Sequence, residues 1–493
     1  MIVINVENVE CKFSASPSDE VVEAIRLELR YENDANNPFM RKKFAKKKIE
    51  IAEFKYLYNK KTRCFPTGLL SEVIKILDSF KVEYKIADNR KDYPIVNPTE
   101  LKSYVLRDYQ IYAETEALIH KNCMIRIATG GGKTAIMASM SAKLNGYKIV
   151  ILLRRQMLMD QTIKVFEREL GFEIGQIGSG VVDIKDVTVA MVPTLARAID
   201  PKWKFSSEEE ADGEDDKTNL TEIDKEAIRK YISSCEVVIV DECHSLGSNT
   251  AQLIMNYAVT ARYRTGFSAS PWRDDGKDIL LTAATGPRVV DINASYLIER
   301  SFLVPPYVYF FKTPTPRIPI HMQGKYQDVY REFIVENMPR NALIASKAIE
   351  AYERFEKVLI LVQQVDHGEL FLKYFEDNGI YAAFISGSRT AITREEFMEQ
   401  FKQRSRAILI GTNGTMSEGI DLPEITVVIN ASGGKSSVQY YQKIGRALRL
   451  YEDKKRCTII DFLDQNIKFM NHHANARIKI VKSEPEYKLK IQK

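Results

Sequence analysis

Hydrophobic residues fall in short β-branched runs that alternate with helix-like stretches over most of the chain. Five runs lie at 124–127, 148–153, 187–192, 237–240 and 264–267, and five more at 358–362, 381–385, 407–410, 426–429 and 457–460. Such continuous apolar runs, separated by amphipathic segments, are typical of parallel strands that helices cover on both faces. Prolines at 305–306 and in the stretch 314–319 interrupt the rhythm. The pattern therefore predicts two α/β domains in tandem.

The first ninety residues have a different pattern, which predicts a small α/β unit. The sequence SPSD at 16–19 is typical of a helix start, and apolar residues at helical spacing follow it. A polar stretch at 87–92 and two nearby prolines indicate a linker. We therefore predict domains at 1–95, 96–300 and 301–493. The acidic stretch at about 205–226 is expected to form a surface insertion, and the basic last twenty residues a helix or tail.

Composition excludes several classes of protein. The chain has 493 residues, of which 45% are hydrophobic and 28% charged, so it is long enough for two to four globular domains. No apolar run approaches the roughly 20 residues that span a bilayer, and the N-terminus lacks the features of a secretory signal. The 6 cysteines are scattered without a C-x-x-C pair, which favours a reducing, cytoplasmic setting over a disulfide framework or a zinc module.

The distribution of charge points to a polyanionic partner. The net charge is only +5, but residues 41–63 carry ten lysines and arginines against two glutamates. Clusters of this kind neutralise nucleic-acid phosphates without reading base sequence. The first predicted domain is therefore expected to bind nucleic acid.

The sequence IRIATGGGKT at 125–134 has the order of a phosphate-binding loop. An apolar strand leads into three glycines, and a lysine, a threonine and a helical segment follow. Glycines let backbone N–H groups wrap a phosphate, the lysine supplies a charge, and the threonine hydroxyl can ligate Mg²⁺. Ile127 occupies the position of the usual first glycine. We predict that ATP and Mg²⁺ bind through Thr129, Gly130, Gly131, Gly132, Lys133 and Thr134.

The strand-like run at 237–240 ends in two acids, Asp241 and Glu242, followed by Cys243 and His244. Acids at the carboxyl end of a parallel strand lie in the crevice where ligands bind. Asp241 is the right type of residue to hold Mg²⁺, and Glu242 to orient or deprotonate an attacking water. A zinc site at Glu242 and His244 is the weaker alternative, because it lacks a third ligand at a suitable spacing.

Two segments of the last domain carry further candidates. If the segment QKIGRALR at 442–449 is helical, Gln442, Arg446 and Arg449 lie on one face. The arginines could then stabilise charge on the γ-phosphate, or this face could be an ordinary solvated surface. The segment 417–421, which contains Gly419 and Asp421, follows a predicted strand and suits phosphate or backbone contacts.

These motifs, in this order, resemble those of the superfamily 2 helicases and translocases. LRDYQ at 106–110 is similar to the family's adenine-recognising motif, which implies roles for Arg107 and Gln110. The segments 129–134, 153–161, 193–195, 241–244, 266–271, 358–368, 411–421 and 442–449 are similar to motifs I, Ia, Ib, II, III, IV, V and VI. The resemblance implies two RecA-like domains that hydrolyse ATP between them, with Ser268–Ser270 relaying the nucleotide state. Ser270 stands where threonine is usual, and Arg154-Arg155 where a proline-containing version is common.

Within the superfamily the chain resembles the phage UvsW-type branch-migration helicases. The shared features are VxHG at 365–368, FPxGL at 65–69, the small basic N-terminal domain and the compact size. The resemblance implies a monomeric, ATP-driven motor in the host cytoplasm that remodels branched DNA, including forks, Holliday junctions and R-loops with RNA–DNA hybrid. Roles in DNA recombination, repair and replication would follow.

Three other functions stay open. An RNA helicase of the DEAD-box kind would differ at DECH and at Gln442. A restriction-system motor would need a nuclease, and no D…E-x-K motif accompanies these motifs. A nucleotide-dependent DNA-binding switch would use the same ATP site without moving along DNA.

Overall fold

The computed structural model describes residues 1–33, 53–154, 156–203, 218–244, 249–272, 277–314, 326–386, 391–417, 422–434, 444–445 and 447–492. The chain divides into two compact units. The first contains Met1–Ile127 and Gly132–Asp291, and the second contains Ala128–Gly131 and Ile292–Lys493. Each unit is described by itself below.

The N-terminal part of the first unit is a small α/β lobe. Its elements are β1 (Ile2–Val6), β2 (Glu10–Phe13), α1 (Asp19–Glu28), β3 (Arg30–Glu32), β4 (Phe54–Tyr56), β5 (Cys64–Pro66), α2 (Leu70–Ser79) and β6 (Tyr84–Asp88). The order of the main sheet is β5-β2-β1-β6, and β3 and β4 form a separate antiparallel pair. Helices α1 and α2 pack their apolar sides on the sheet, which encloses a core that includes Phe13 and Phe65.

The rest of the first unit is a mostly parallel sheet flanked by helices. Its elements are α3 (Asp108–His120), β7 (Asn122–Ile127), α4 (Lys133–Lys143), β8 (Ile149–Leu153), α5 (Gln156–Leu170), β9 (Gly175–Gly178), β10 (Val181–Asp183), β11 (Val187–Met191), α6 (Val192–Ile199), α7 (Glu222–Ser234), β12 (Val237–Asp241), α8 (Asn249–Tyr257), β13 (Tyr263–Ser268), α9 (Asp278–Thr285) and β14 (Arg288–Ile292). In the described residues the strand order is β10-β9-β11-β8-β12-β13-β7-β14. Strands β8, β11 and β13 are buried along their whole length, as their apolar runs predict.

The FPxGL segment joins the lobe to this sheet layer. Phe65 fills the lobe core, and Thr67–Leu69 form a short 3₁₀ turn before α2. A Cβ atom on Gly68 would collide with the carbonyl oxygens of Thr282 and Ala283 in α9. Gly68 is therefore the point at which the backbones of the two layers meet.

In its described residues, the second unit contains a seven-stranded parallel sheet. Its elements are α10 (Ala294–Glu299), β15 (Pro306–Lys312), α11 (Tyr326–Tyr330), a π-helical turn (Arg331–Val335), α12 (Met338–Glu353), β16 (Lys357–Val362), α13 (Val365–Asp377), β17 (Ala382–Ile385), α14 (Ala391–Gln403), β18 (Ala407–Thr412), α15 (Asn413–Ser417), β19 (Val427–Asn430), β20 (Cys457–Leu463), α16 (Lys468–Lys482) and β21 (Lys488–Gln492). In the described residues the strand order is β17-β18-β16-β19-β20-β15-β21, and each pair of neighbouring strands is parallel.

Each of the ten apolar runs forms a strand, so the α/β fold with parallel sheets is confirmed. The sequence pattern did not indicate β9, β10, β14, β15 and β21. Strand β15 starts at Pro306, where the sequence pattern predicts only an interruption between elements. Proline is nevertheless tolerated at the first residue of a strand. The last twenty residues continue α16 and then form β21 beside β15. Helix α7 takes up the last five residues of the stretch predicted to be an acidic insertion.

The described residues contain the six cysteines as buried free thiols. Among the helices of these residues, none is long and apolar enough to cross a membrane.

Candidate nucleotide-binding site

The predicted phosphate-binding loop lies between β7 and α4. Gly130 and Gly132 have φ angles of +87° and +80°, in the left-handed region that glycine adopts without strain. Gly132 is the cap residue of α4, so Lys133 and Thr134 start the helix. Ile127 is the buried last residue of β7, and its side chain therefore belongs to the core. The helix start supplies the backbone N–H groups and the positive potential that a phosphate needs.

The segment before α3 packs against this loop. Gln110 is fully buried, and its Oε1 atom accepts a hydrogen bond from the backbone N–H of Arg107 at 2.8 Å. Its side-chain amide also lies 3.3 Å from the hydroxyl of Tyr104. A Cβ atom on Gly132 would collide with Nε2 of Gln110. Gln110 therefore braces the end of the phosphate loop, and Arg107 lies at the start of the same helix.

Glu242 of DECH reaches the start of α4 from the end of β12. Glu242 Oε1 forms an ion pair with Lys133 Nζ at 3.0 Å, and both side chains are largely buried. Glu242 has a φ angle of +50°, which is uncommon for a residue with a side chain. Its N–H donates to Asp241 Oδ1 at 3.0 Å. The chain therefore turns sharply at the end of β12, and Glu242 lies in this turn against Lys133.

The charge state of Glu242 follows from its surroundings. Burial alone would raise the pKa of its carboxyl, but the charge of Lys133 and the hydrogen bond with His244 outweigh burial and hold the pKa well below its usual range. The residue is therefore ionised at neutral pH. A neighbouring cation, rather than solvent, stabilises the charge.

Strand β13 adds a third component to the site. The hydroxyl of Ser268, which is fully buried, donates to Glu242 Oε2 at 3.0 Å and accepts the N–H of Ser270 at 3.1 Å. His244 Nδ1 lies 3.2 Å from the same hydroxyl and 3.3 Å from Glu242 Oε2. Ser268 thus links the DECH acid directly to the segment predicted as motif III.

The residue types present suit a Mg²⁺ ion bound together with ATP. Asp241 is partly exposed at the end of its strand, and Thr134 lies in the first turn of α4. Mg²⁺ takes oxygen ligands and is commonly held by one or two protein groups plus substrate phosphates. Among the described residues no group of three or more His, Cys, Asp or Glu side chains could hold a metal, so the structure gives no support to the zinc alternative.

The second unit places one of the predicted arginines. Arg449 forms an isolated strand bridge with Leu303, and the N–H of Val304 donates to the carbonyl of Leu448 at 2.8 Å. Gly130 belongs to the same unit, and a Cβ atom on it would lie 3.4 Å from Cγ of Arg449. Gln442, Arg446, Gly419 and Asp421 lie outside the described residues.

Two residues that support the predicted site, one by contacting Gln110 and one by contacting Tyr104, were not selected from the sequence. Tyr104 lies just before LRDYQ and contacts Gln110. The aromatic side chain at that position was the feature of the sequence that could have identified it. Glu169 anchors Ser103 and Tyr104 from the end of α5. No pattern in the sequence indicates Glu169, because it is 65 residues from Tyr104.

Two family models match the chain. The model described as Type III restriction enzyme, res subunit, matches residues 103–273, and the model described as Helicase conserved C-terminal domain matches residues 340–451. These two ranges frame the series of motifs from 106 to 449. The first range contains strands β7–β13 of the first sheet, and the second contains strands β16–β19 of the second sheet.

Individual proteins give the same picture at low identity. The ATP-dependent DNA helicase uvsW of Enterobacteria phage T4 is 22% identical over 421 residues, which cover 82% of this chain and 80% of that protein. A protein of Sulfolobus islandicus filamentous virus, numbered 22 and named as a candidate helicase, is 23% identical over 405 residues, covering 76% of this chain and 68% of its own length.

A solved structure shows a similar fold. The ATP-dependent Type ISP restriction-modification enzyme LlaBIII bound to DNA superposes with a TM-score of 0.55 at 16% identity, covering 79% of this chain and 31% of that chain. The family models, the order of the motifs and the Lys133–Glu242 geometry agree. The chain is therefore a superfamily 2 helicase, an ATP-driven enzyme built on two RecA-like domains.

Proposed function

We propose that the protein is an ATP-dependent DNA translocase that remodels branched DNA by branch migration, fork reversal and unwinding of R-loops. The observation that carries the ATPase part is the ion pair of Lys133 with Glu242, which brings together two predicted catalytic side chains, one from the start of α4 and one from the end of β12. The relation to the phage T4 DNA helicase supports the choice of DNA as the track.

The phosphate site is assigned to the loop between β7 and α4 and to the first residues of α4. Lys133 and the N–H groups of Gly130, Gly131 and Gly132 would hold the β- and γ-phosphates. Thr134 and Asp241 would hold Mg²⁺, which supplies charge neutralisation on the phosphates when bound. Thr129 would contribute from the loop, and Arg107 and Gln110 would recognise adenine.

Glu242 would orient the attacking water and accept its proton. The charge of Lys133 lowers the pKa of this carboxyl. Movement of Lys133 toward the phosphates would weaken that effect and make Glu242 a stronger base at the moment when ATP is bound. Ser268 would report the change to the rest of motif III through its hydrogen bond with Glu242.

The second domain would complete the site. Arg446 and Arg449 would stabilise charge that develops on the γ-phosphate, and Gln442 would lie with them on one helical face. Gly419 and Asp421 would couple nucleotide to DNA. Groove contacts would be mainly to phosphates, so movement would be independent of base sequence.

The small lobe within the predicted domain 1–95 would grip DNA near the branch. Exposed lysines at 12, 55 and 61 belong to its described surface. Replacing these three by alanine should weaken binding to forked DNA, reduce its salt dependence by about three counterions, and leave basal ATPase unchanged. Unchanged DNA affinity and salt slope would remove the lobe from DNA binding.

The central experiment measures ATP hydrolysis and product formation on single-stranded, duplex, forked and four-way DNA and on RNA–DNA hybrid. We expect strongest stimulation and strand rearrangement with branched DNA. Lys133→Ala and Glu242→Gln should abolish stimulated ATPase and leave DNA binding largely intact. An active Glu242→Gln protein would remove that residue from its role, and stimulation by RNA alone would favour an RNA helicase.

A restriction-system motor is the second candidate, because the matching model for residues 103–273 carries that description. Such a motor would translocate on intact duplex and would act with a nuclease. Equal ATPase stimulation by linear duplex and forked DNA, without strand exchange, would favour it. DNA binding without any movement would instead indicate a nucleotide-controlled switch.

A further inference from the structure

Glu169 is a buried carboxylate at the end of α5, outside every motif of the chain. Its side chain is 1% exposed. It accepts hydrogen bonds from the N–H and hydroxyl of Ser103 at 3.0 and 2.7 Å, from the N–H of Tyr104 at 3.0 Å, and from Nε of Arg168 at 2.8 Å. Burial acts to raise the pKa of this carboxyl, but the four donors lower it to about 2. A charged acceptor with this many directed donors fixes the chain direction at 103–104 more tightly than an apolar contact would.

The main chain reinforces the same attachment. The N–H of Lys102 donates to the carbonyl of Glu169 at 2.9 Å. Gly171 ends α5 with a φ angle of +78°, and a Cβ atom there would collide with the Lys102 side chain. Residues 102–104 are therefore clamped onto the carboxyl end of α5 by backbone and side-chain contacts together.

The clamped segment leads directly to the nucleotide site. The hydroxyl of Tyr104 contacts the side-chain amide of Gln110 at 3.3 Å. Gln110 also accepts the N–H of Arg107, and its amide nitrogen touches the backbone at Gly132. A continuous path of contacts thus runs from Glu169 through Tyr104 and Gln110 to the end of the phosphate loop.

We propose that Glu169 is a positioning residue for nucleotide binding, which holds Tyr104 so that its hydroxyl orients the Gln110 amide against Gly132. The proposal rests on the proposed function, in which Gln110 and the phosphate loop bind ATP. Helix α5 contains residues 156–161 of the predicted motif Ia, so the clamp also ties that motif to the part of the site assigned to adenine.

The test measures the affinities of fluorescent ATP and GTP analogues and the ATPase kcat and KM. Glu169→Gln keeps the shape of the side chain and removes its charge. Loss of charge-assisted hydrogen bonds should weaken ATP binding about tenfold and raise KM similarly, with kcat within about twofold. The ratio of ATP to GTP affinity should fall about fivefold. Glu173→Gln, at an exposed carboxylate paired with Lys185, is the matched control and should change nothing.

A double-mutant cycle distinguishes positioning from a merely structural role. Tyr104→Phe removes only the hydroxyl that meets Gln110. If both residues act along one path, the double variant should bind ATP no more than about twofold less tightly than Glu169→Gln alone. Should Glu169→Gln fail to fold, Ser103→Ala removes one donor of the clamp and should weaken ATP binding about threefold in the same direction.

Three outcomes would overturn the inference. Lower thermal stability with unchanged ATP affinity and unchanged ATP-to-GTP ratio would make Glu169 structural only. Additive effects of the Glu169 and Tyr104 substitutions would show that the residues act independently. A wild-type protein that bound neither nucleotide would refute the proposed function itself, a result distinct from an ATP-binding protein in which the clamp has no effect.

Discussion

Replacing Glu242 by glutamine should change ATP binding and ATP hydrolysis in opposite directions: binding should become tighter, and hydrolysis should be lost. Glu242 pairs with Lys133 at 3.0 Å, and the two side chains are 19% and 12% exposed. In the proposed mechanism Lys133 contacts the β- and γ-phosphates, which draws its ammonium group away from Glu242. ATP binding therefore works against the Lys133–Glu242 ion pair, and a variant that weakens the pair should bind ATP more tightly while it loses hydrolysis.

The magnitude follows from the burial of the pair. Exposed ion pairs contribute about 0–1 kcal/mol, and hydrogen bonds to buried charged groups about 1.5–3 kcal/mol, so a largely buried pair should contribute about 1–2 kcal/mol. Glutamine keeps an oxygen that can accept a hydrogen bond from Lys133, so about half of this is lost. That loss corresponds to roughly threefold tighter ATP binding. Removing the carboxylate also removes its repulsion of the phosphates, which acts in the same direction.

The assay is equilibrium binding of a fluorescent, non-hydrolysable ATP analogue with Mg²⁺, beside ATPase rates under saturating DNA. We expect at least threefold tighter binding and a rate loss of about 10²–10⁴, the usual effect of removing a general base. In a cycle with Lys133→Ala, the gain in affinity should shrink because the pair is already broken. Affinity that is unchanged or weaker in Glu242→Gln would refute the competition between carboxylate and phosphate.

Three further predictions test other parts of the structure. Ser268→Ala should lower kcat about 10–100-fold with little change in KM, since the hydroxyl bonds Glu242 and no substrate; an equal change in KM would contradict this. Gly68→Ala should lower the free energy of unfolding in urea by about 1–3 kcal/mol, because its Cβ would collide with two backbone carbonyls. Gly414→Ala, where the space is open, should be near neutral. Equal effects of the two substitutions would refute the role of Gly68 in docking the lobe on α9. Burial lowers the pKa of His367 to about 3, so below pH 6.5 only the unfolded chain takes up the proton and stability falls by about 1.4 kcal/mol per pH unit. His367→Gln should flatten the decrease in Tm between pH 6.5 and 5, and an unchanged slope would exclude this residue as its source.

Local patterns were sufficient for the framework. Each of the ten apolar runs became a strand because a segment buried on both faces must be apolar throughout, which is visible in the sequence alone. The glycines, Lys133 and Thr134 were also predictable, since a strand, a flexible turn and a helix start follow one another along the chain. Strands β9 and β10 were not, because both are short, β9 begins and ends with glycine, and β10 is an edge strand whose residues are exposed or only half-buried.

Long-range contacts decided the rest of the site. The types of Lys133 and Glu242 indicated chemistry, but the 3.0 Å pairing depends on β7 and β12 being placed in one sheet with β13 between them. Ser268 reaches Glu242 for the same reason. The sequence suggested a relay at Ser268–Ser270 without identifying which carboxylate oxygen the hydroxyl would meet.

By itself, the sequence determined the α/β class, the phosphate loop and the acids at the strand end, because strand burial, glycine backbone freedom and helix starts are properties of adjacent residues. Only the tertiary structure decided that Gln110 braces Gly132, that Gly68 must lack a side chain, and that Glu169 clamps Tyr104. The physical reason is that a hydrogen bond or a close approach between residues far apart in the chain depends on sheet order and helix packing, and no spacing along the sequence encodes that distance.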